Sequence, residues 1–213
     1  MEVEKVVGLD AGHPAIPDRL LGSDIRWAIG GVGQAAAVNA AMSMSTGDMI
    51  AILEDDDEWL PGKLGYQLLL LADHLFVSCN QREIDLKGNF IRYNDFATPS
   101  GWLMTREVWR NVGPFDESFR FHVDTEWLGR LNRSGIRRAH LVHLGAEKNP
   151  NGWLAKVARH SLVVQDADVT EPLVRRTVNP GGGVQRILTD AEAALQSKKE
   201  HAAMWSAFGE IPW

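Results

Sequence analysis

Glu54, Asp55, Asp56, Asp57 and Glu58 form an unbroken acidic run between the apolar "DMIAIL" (Asp48–Leu53) and "WLPGKL" (Trp59–Leu64). Five adjacent carboxylates repel one another, most of all where a buried strand limits their access to water. Two arrangements relieve the repulsion. A hard divalent cation such as Mg²⁺ or Mn²⁺ takes carboxylate oxygens, often one or two from protein and the rest from phosphates and water. A helix N-terminus also favours negative charge, and Asp57 and Glu58 stand just ahead of Pro61, which suits a first helical turn. Asp55 and Asp56, at the strand end itself, suit the cation.

The elements around this run alternate. "VEKVVGLD" (Val3–Asp10) is β-branched and runs into Ala-Gly-His-Pro, so it reads as a strand and turn. "PAIPDRLLG" reads as a short helix closed by Gly22, and "DIRWAI" as a second strand. The Ala-rich "GQAAAVNAAMSMSTG" is a helix stopped by Gly47, and "DMIAIL" a strand buried on both faces, as in a parallel sheet. A helix over "PGKLGYQLLLLADH", the strand "LFVSCN" and a hairpin turning at Lys87-Gly88-Asn89 come next. "TPSGWLMT" leads to a short helix ending near Gly113. "VDTEWLGRLNRSG" is an amphipathic helix stopped by Gly135, and "IRRAHLVHL" a last strand. Past Asn149 the pattern weakens; "NPGGG" reads as a linker to a helix from Leu188 to about Phe208. Alternating strands and helices imply an α/β sheet, whose ligands gather at the carboxyl ends of strands. Both Asp10 and the acidic run lie at such ends.

Composition is that of a folded domain: 213 residues, 45% hydrophobic and 23% charged, with a formal charge of −6 that disfavours non-specific binding to polyanions. The single cysteine, Cys79, excludes an internal disulfide framework, fits a reducing compartment and reads as a small buried hydrophobe. No apolar run reaches the ~18 residues of a membrane span, and "MEVEKVVGLD" lacks the cationic start of a signal peptide. A soluble, cytoplasmic protein is expected.

The run "GQAAAVNAAMSMSTGDMIAILEDDDEWLPGKL" resembles the inverting family 2 glycosyltransferases of GT-A fold, with their Thr-Gly-Asp, apolar strand, DXD-type acids and Trp-x-Pro-x-Lys-Leu. "VGPFDESFRFHVDTEWLGRLNRSG" continues it, resembling that family's Gly-x-Phe-Asp-Glu segment and the acid-bearing helix that ends Arg-Leu-x-x-x-Gly. The resemblance spans roughly Gly33 to Leu144 and implies a three-layer α/β sandwich with a mostly parallel central sheet over residues 1–149. Residues 150–213 form a partly helical extension. It implies a nucleotide-diphosphate sugar as donor, with Mn²⁺ or Mg²⁺ held by Asp56 and with Asp55 near the ribose and metal. Asp124 matches the base that takes the proton from an acceptor hydroxyl; the alternative is an N-cap aspartate for its helix, and one residue can be both. His143, in the segment after the base, is a candidate metal ligand or a structural histidine. Trp102 is either an acceptor-side ring for stacking on a sugar or a core residue.

The chain departs from the family pattern at several places. Glu54 replaces the usual first Asp, a position that varies. Val38 stands where the helix usually carries Arg, and Val123 where an acid usually precedes the base. The stretch ahead of Gly33 is one βα unit short, so "VEKVVGLD" is expected at the centre of the sheet, between "DIRWAI" and "DMIAIL". Asp10 then becomes a candidate contact for the nucleotide base or ribose, or simply a turn aspartate. The shortened flank needs cover from the C-terminal helix or from a second subunit in a homodimer. The expected activity is metal-dependent transfer of a sugar to an acceptor hydroxyl. The alternatives are a non-catalytic sugar- or nucleotide-binding relic and a sugar-nucleotide pyrophosphorylase. The donor base, sugar and acceptor are not legible.

Overall fold

The computed structural model describes residues 2–12, 24–148 and 153–211, and the helix expected at "PAIPDRLLG" lies outside them. β1 (Lys5–Leu9) and β2 (Ile25–Ile29) pair in parallel, residue for residue from Lys5–Ile25 to Leu9–Ile29. Helix α1 (Gln34–Met44) packs on this ribbon so closely that a side chain is excluded beneath it. A Cβ on Gly8 would meet the Ala37 carbonyl oxygen at 2.0 Å, and one on Gly30 would meet that of Ala36 at 2.3 Å. The run of alanines is what lets the helix lie this near.

β3 (Met49–Ala51) and β4 (Asp57–Trp59) flank the acidic turn, and α2 (Lys63–Leu71) follows. β5 (Phe76–Cys79), β6 (Gln81–Ile84), β7 (Phe90–Asn94) and β8 (Leu103–Thr105) lead to α3 (Arg106–Val112) and α4 (Val123–Arg133). β9 (Arg138–Val142), α5 (Leu154–Val157), β10 (Leu162–Gln165), β11 (Val174–Thr177), α6 (Gly183–Thr189) and α7 (Ala191–Phe208) complete the order. A five-stranded sheet runs β10-β9-β5-β8-β3 and a four-stranded one β4-β11-β6-β7.

The α/β class and the strand–helix order are as expected; the mostly parallel sheet is not. In the larger sheet β8 runs antiparallel to both β5 and β3, and in the smaller one β4 and β7 run antiparallel to their neighbours. Nor is β1 hydrogen-bonded beside β3: among the described residues β3 pairs with β8 alone and β1 with β2 alone. "DMIAIL" contributes only three strand residues, at a sheet edge, with Met49 and Leu53 exposed. The ribbon is tied on instead through Glu4, whose carboxylate accepts from the amides of Thr46 (2.8 Å) and Gly47 (3.3 Å) at the start of β3. "IRRAHLVHL" is not the last strand. β10 extends the larger sheet beside β9, and β11 sits between β4 and β6, so residues 162–177 complete sheets begun before residue 149.

The main core lies between the larger sheet and helices α3 and α4. Trp102 and Trp127, both fully buried, stack at 4.9 Å, with Phe76, Trp109 and Phe115 around them. A second core joins Cys79, Leu141, Val169, Leu173 and Val174 to Trp59 and Tyr66. In "WLPGKL", the lysine of the motif turns inward: Lys63 is 1% exposed, donates to Gln67 at 2.8 Å and lies 4.3 Å from the centre of the Trp59 ring.

Candidate active site

The acids at the end of β3 form a turn rather than a helix start. The Asp57 amide donates to the Glu54 carbonyl at 3.2 Å, leaving Asp55 and Asp56 exposed at the tip, and Asp57 and Glu58 open strand β4. The helix-dipole reading of those last two acids is therefore overturned, since α2 begins only at Lys63. Their charge is met by a strand: β11 runs antiparallel to β4 with Arg176 opposite Asp57 and Arg175 opposite Glu58. Arg175 forms an ion pair with Glu58.

Glu54 and Asp57 point inward. The Glu54 carboxylate accepts from Gln34 at 2.5 Å, and its amide donates to the Ser100 hydroxyl at 3.0 Å. Burial, reinforced by the charges of Asp57, Asp124 and Asp56, pushes its pKa up to about 8 against the pull of Arg176. Both oxygens of Asp57 are buried without a well-formed hydrogen bond. Burial and the charge of Asp56 raise its pKa to about 6, although Ser100, Arg176 and the Thr177 amide lie close enough to favour the ionised form. Asp56 is raised as well, by partial burial and by Asp55.

Asp124 faces this turn from the first turn of α4. It is not the N-cap: that position is His122, and the Asp124 carboxylate accepts instead from the amide of Thr125 at 2.7 Å. Burial raises its pKa, opposed by Thr125 and by Arg176. Arg176 thus stands in the field of Glu54, Asp56, Asp57 and Asp124 together. It is anchored from behind by Glu83, to which Nη1 donates at 2.9 Å.

Three candidates fall elsewhere. Trp102 is excluded from sugar stacking: it is fully buried, its faces are occupied by the aromatic core, and its indole N–H donates to the Ala97 carbonyl at 2.8 Å. His143 is buried beside Asn80, whose amide lies 2.9 Å from its Nδ1, and beside the Tyr93 ring at 4.5 Å. Burial lowers its pKa, and the acids that act on it are Asp95, Glu171 and Glu147, none of them from the turn. Its neighbour His140, within β9, is fully buried and bonded to Ser78 at 2.7 Å. Asp10 works as a turn aspartate, accepting from the amides of Gly12 (2.6 Å) and Gly33 (3.1 Å) and so joining β1 to the start of α1.

Sequence reasoning discounted Glu54 as a variable position and gave no role to Ser100 or Arg176. Glu54 carries the largest carboxylate shift of the turn, and its position directly after the apolar strand was the available signal. "LVRRTV" offered only a pair of arginines in β-branched surroundings; nothing local tied it to residues more than a hundred positions earlier.

The sequence model of glycosyl transferase family 2 matches residues 24–130, half of the chain. The chain belongs to this family. A search of curated proteins finds no match. The match covers the acidic turn and Asp124 and stops short of β9–β11, α6 and α7. The enzyme is accordingly a glycosyltransferase, and no described helix is long and apolar enough to cross a membrane.

Among the described residues, no three Asp, Glu, His or Cys side chains converge so as to hold a metal ion by themselves. The donor set still fits a hard cation of the kind that keeps most of its ligands from phosphate and water. The turn offers exposed carboxylates on Asp55 and Asp56 and a buried carboxylate on Asp57 that lacks a well-formed hydrogen bond.

Proposed function

We propose that the enzyme transfers a sugar, with inversion, from a nucleotide-diphosphate sugar to an acceptor hydroxyl, using Mn²⁺ or Mg²⁺ at the β3–β4 turn. The observation that carries this reading is that Asp124 acts electrostatically on Glu54 and shares the field of Arg176 with it. It brings the carboxylate at the head of α4 to the acids at the end of β3. Asp56, with Asp57 behind it and Asp55 toward the ribose, would hold the cation. Bound there, the cation supplies Lewis-acid stabilisation of the diphosphate leaving group. Asp124 accepts the proton as the acceptor oxygen forms its bond to the anomeric carbon and the bond from that carbon to the diphosphate oxygen breaks. Burial raises its pKa, and a carboxylate with a raised pKa is a stronger base toward the acceptor hydroxyl. Arg176 offsets the charge of the acids before donor and cation arrive.

The test is a thermal-shift titration with UDP, GDP and dTDP, each with and without Mn²⁺, on the wild-type protein and on Asp56→Asn. A ligand that binds only the native state raises the apparent melting temperature by mass action. One diphosphate should stabilise the wild type only with Mn²⁺ and leave Asp56→Asn unshifted. Equal stabilisation of the two proteins would remove Asp56 from the site, and no stabilisation by any diphosphate would remove the donor assignment.

A further inference from the structure

The family match ends at residue 130, yet Arg120, Phe121 and His122, shortly ahead of Asp124, are held by helices that come after it. Glu200 of α7 is 4% exposed, and its carboxylate accepts three successive backbone amides, those of Arg120 (2.8 Å), Phe121 (3.0 Å) and His122 (3.0 Å). Gln196, one turn earlier on α7, donates to the same carboxylate at 2.9 Å. Ser197 lies 2.7 Å from the His122 ring nitrogen Nε2, and the His201 ring packs against that ring, tilted by 33°, at 4.2 Å. From α6, the Arg186 guanidinium covers the Phe121 ring at 5.9 Å.

The grip continues along α4. Gly129 has no side chain where α7 ends against it: a Cβ there would meet the Phe208 ring at 2.5 Å. Arg133 lies over the same ring at 4.9 Å and donates to the Ala207 carbonyl. The helix pair is therefore fixed at both ends, at Glu200 by charge-assisted hydrogen bonds and at Gly129 by close packing.

The head of α4 needs this support. Its N-cap, His122, makes no side-chain bond to the helix, and the segment Arg120–His122 presents three amides pointing one way, which a single carboxylate neutralises. We infer that Glu200 is a positioning residue: through the amides of Arg120–His122 it sets the direction in which α4 starts, and so the place of the Asp124 carboxylate two residues on. The inference rests on Asp124 being the base. A displacement of about 1 Å in a group acting on the reacting atoms costs as much as 10²-fold in rate, whereas the proposed donor side, on β3, β4 and β11, is held in place by strand pairing.

Glu200→Gln tests this in the full chain. A glutamine keeps the volume but turns an N–H₂ toward one of the three amides. The readouts are release of nucleoside diphosphate from UDP-glucose, UDP-N-acetylglucosamine or GDP-mannose, whichever the wild type turns over fastest, and hydrogen exchange of backbone amides. The expected result is a fall in kcat of about 10–100-fold with the donor KM within twofold. Loss of exchange protection should be confined to residues 120–126. Loss of protection throughout the protein, or a fall in kcat matched by a rise in donor KM, would make Glu200 a general support of the fold and overturn the inference. So would unchanged kcat with unchanged exchange. Glu200→Asp, which keeps the charge but withdraws it by one methylene, should lie between wild type and glutamine in kcat. Asp124→Asn read beside them separates the two claims. Full activity in that variant removes the base assignment whatever Glu200 does, whereas a dead Asp124→Asn beside a fully active Glu200→Gln defeats the positioning role alone.

Discussion

Two sets of carboxylates are buried in this enzyme, and they are treated in opposite ways. Glu83 and Glu200 are 1% and 4% exposed, deeper than any acid of the β3–β4 turn, yet both are held below the usual carboxylate range. Burial alone would raise them. Arg92 (2.6 Å), Asn94 (2.7 Å) and Arg176 (2.9 Å) saturate Glu83, and backbone amides saturate Glu200. Glu54 and Asp57 are also inward-facing, but there burial, with neighbouring carboxylates adding to it, outweighs the few donors and Arg176, and their pKa values rise to about 8 and about 6. Low exposure by itself therefore does not set the direction of the shift. The supply of donors differs: Glu83 and Glu200 are saturated, and the acids of the turn are not.

The register shows how the two sets are wired together. Asp57 faces Arg176 across β4 and β11, Arg176 faces Glu83 across β11 and β6, and Glu83 faces Arg92 across β6 and β7. Charges alternate along this row from the turn outward. Its inner end has the shortfall, because Arg176 is shared among Glu83 and four acids of the site.

The largest effect that can sharpen the contrast is on turnover. Asp124→Asn should lower the rate of transfer by about 10²–10⁴-fold while leaving Mn²⁺-dependent binding of nucleoside diphosphate unchanged. Steady-state kinetics and thermal shift read the two halves, and equal loss of both would place Asp124 among the donor contacts.

On the satisfied side, Glu83→Ala removes the partner of two guanidinium groups and should destabilise the fold by about 2–3 kcal/mol in denaturant unfolding. A change below about 0.5 kcal/mol would show that the charge row is a solvated surface feature.

On the dissatisfied side the sign reverses. Glu54→Gln should stabilise the protein without ligand by about 1–2 kcal/mol at pH 8.5, since it removes a charge that the fold disfavours. The native state retains a proton on Glu54 between its unfolded pKa of 4.5 and its folded value of about 8, so the stability this proton brings is lost as pH rises through that window. Asp57 acts the same way between 3.8 and about 6. Glu83, depressed in the folded state, contributes above pH 4.5 and loses its contribution as pH falls below it. Stability measured from pH 5 to 9 should therefore decline more gently in Glu54→Gln than in wild type, and identical profiles would show that Glu54 is ionised throughout.

The smallest effect expected is at His143, just past the end of β9. His143→Gln should alter Mn²⁺-dependent nucleotide binding less than twofold, because its neighbours are Asn80, Tyr93 and acids away from the turn. A loss of tenfold or more would bring His143 back to the metal.

Local chemistry in the sequence determined a good deal. The Ala-rich run became α1, the hairpin turned at Lys87-Gly88-Asn89, "VDTEWLGRLNR" became α4 with Asp124 in its first turn, and the acids of Glu54–Asp57 ended a short apolar strand. Each of these follows from the pattern of about fifteen neighbouring residues, and so did the resemblance that pointed to the family. What the tertiary structure alone decided involves partners distant along the chain. β4, β8 and β11 have three or four residues apiece, too few to show a period, and exist because an antiparallel or parallel neighbour completes their hydrogen bonds. Pairing with β11 turned Asp57 and Glu58 from a helix start into a strand and brought Arg176 to the acids. Packing of Trp102 against Trp127 closed off a ring that the sequence left free to bind sugar. Glu200 reads as one more charge on an amphipathic helix until α7 folds back on α4, and only then do three amides find it. Side-chain type and short-range spacing set which groups can do chemistry; how far each is satisfied is settled by contacts whose range in sequence exceeds any local pattern.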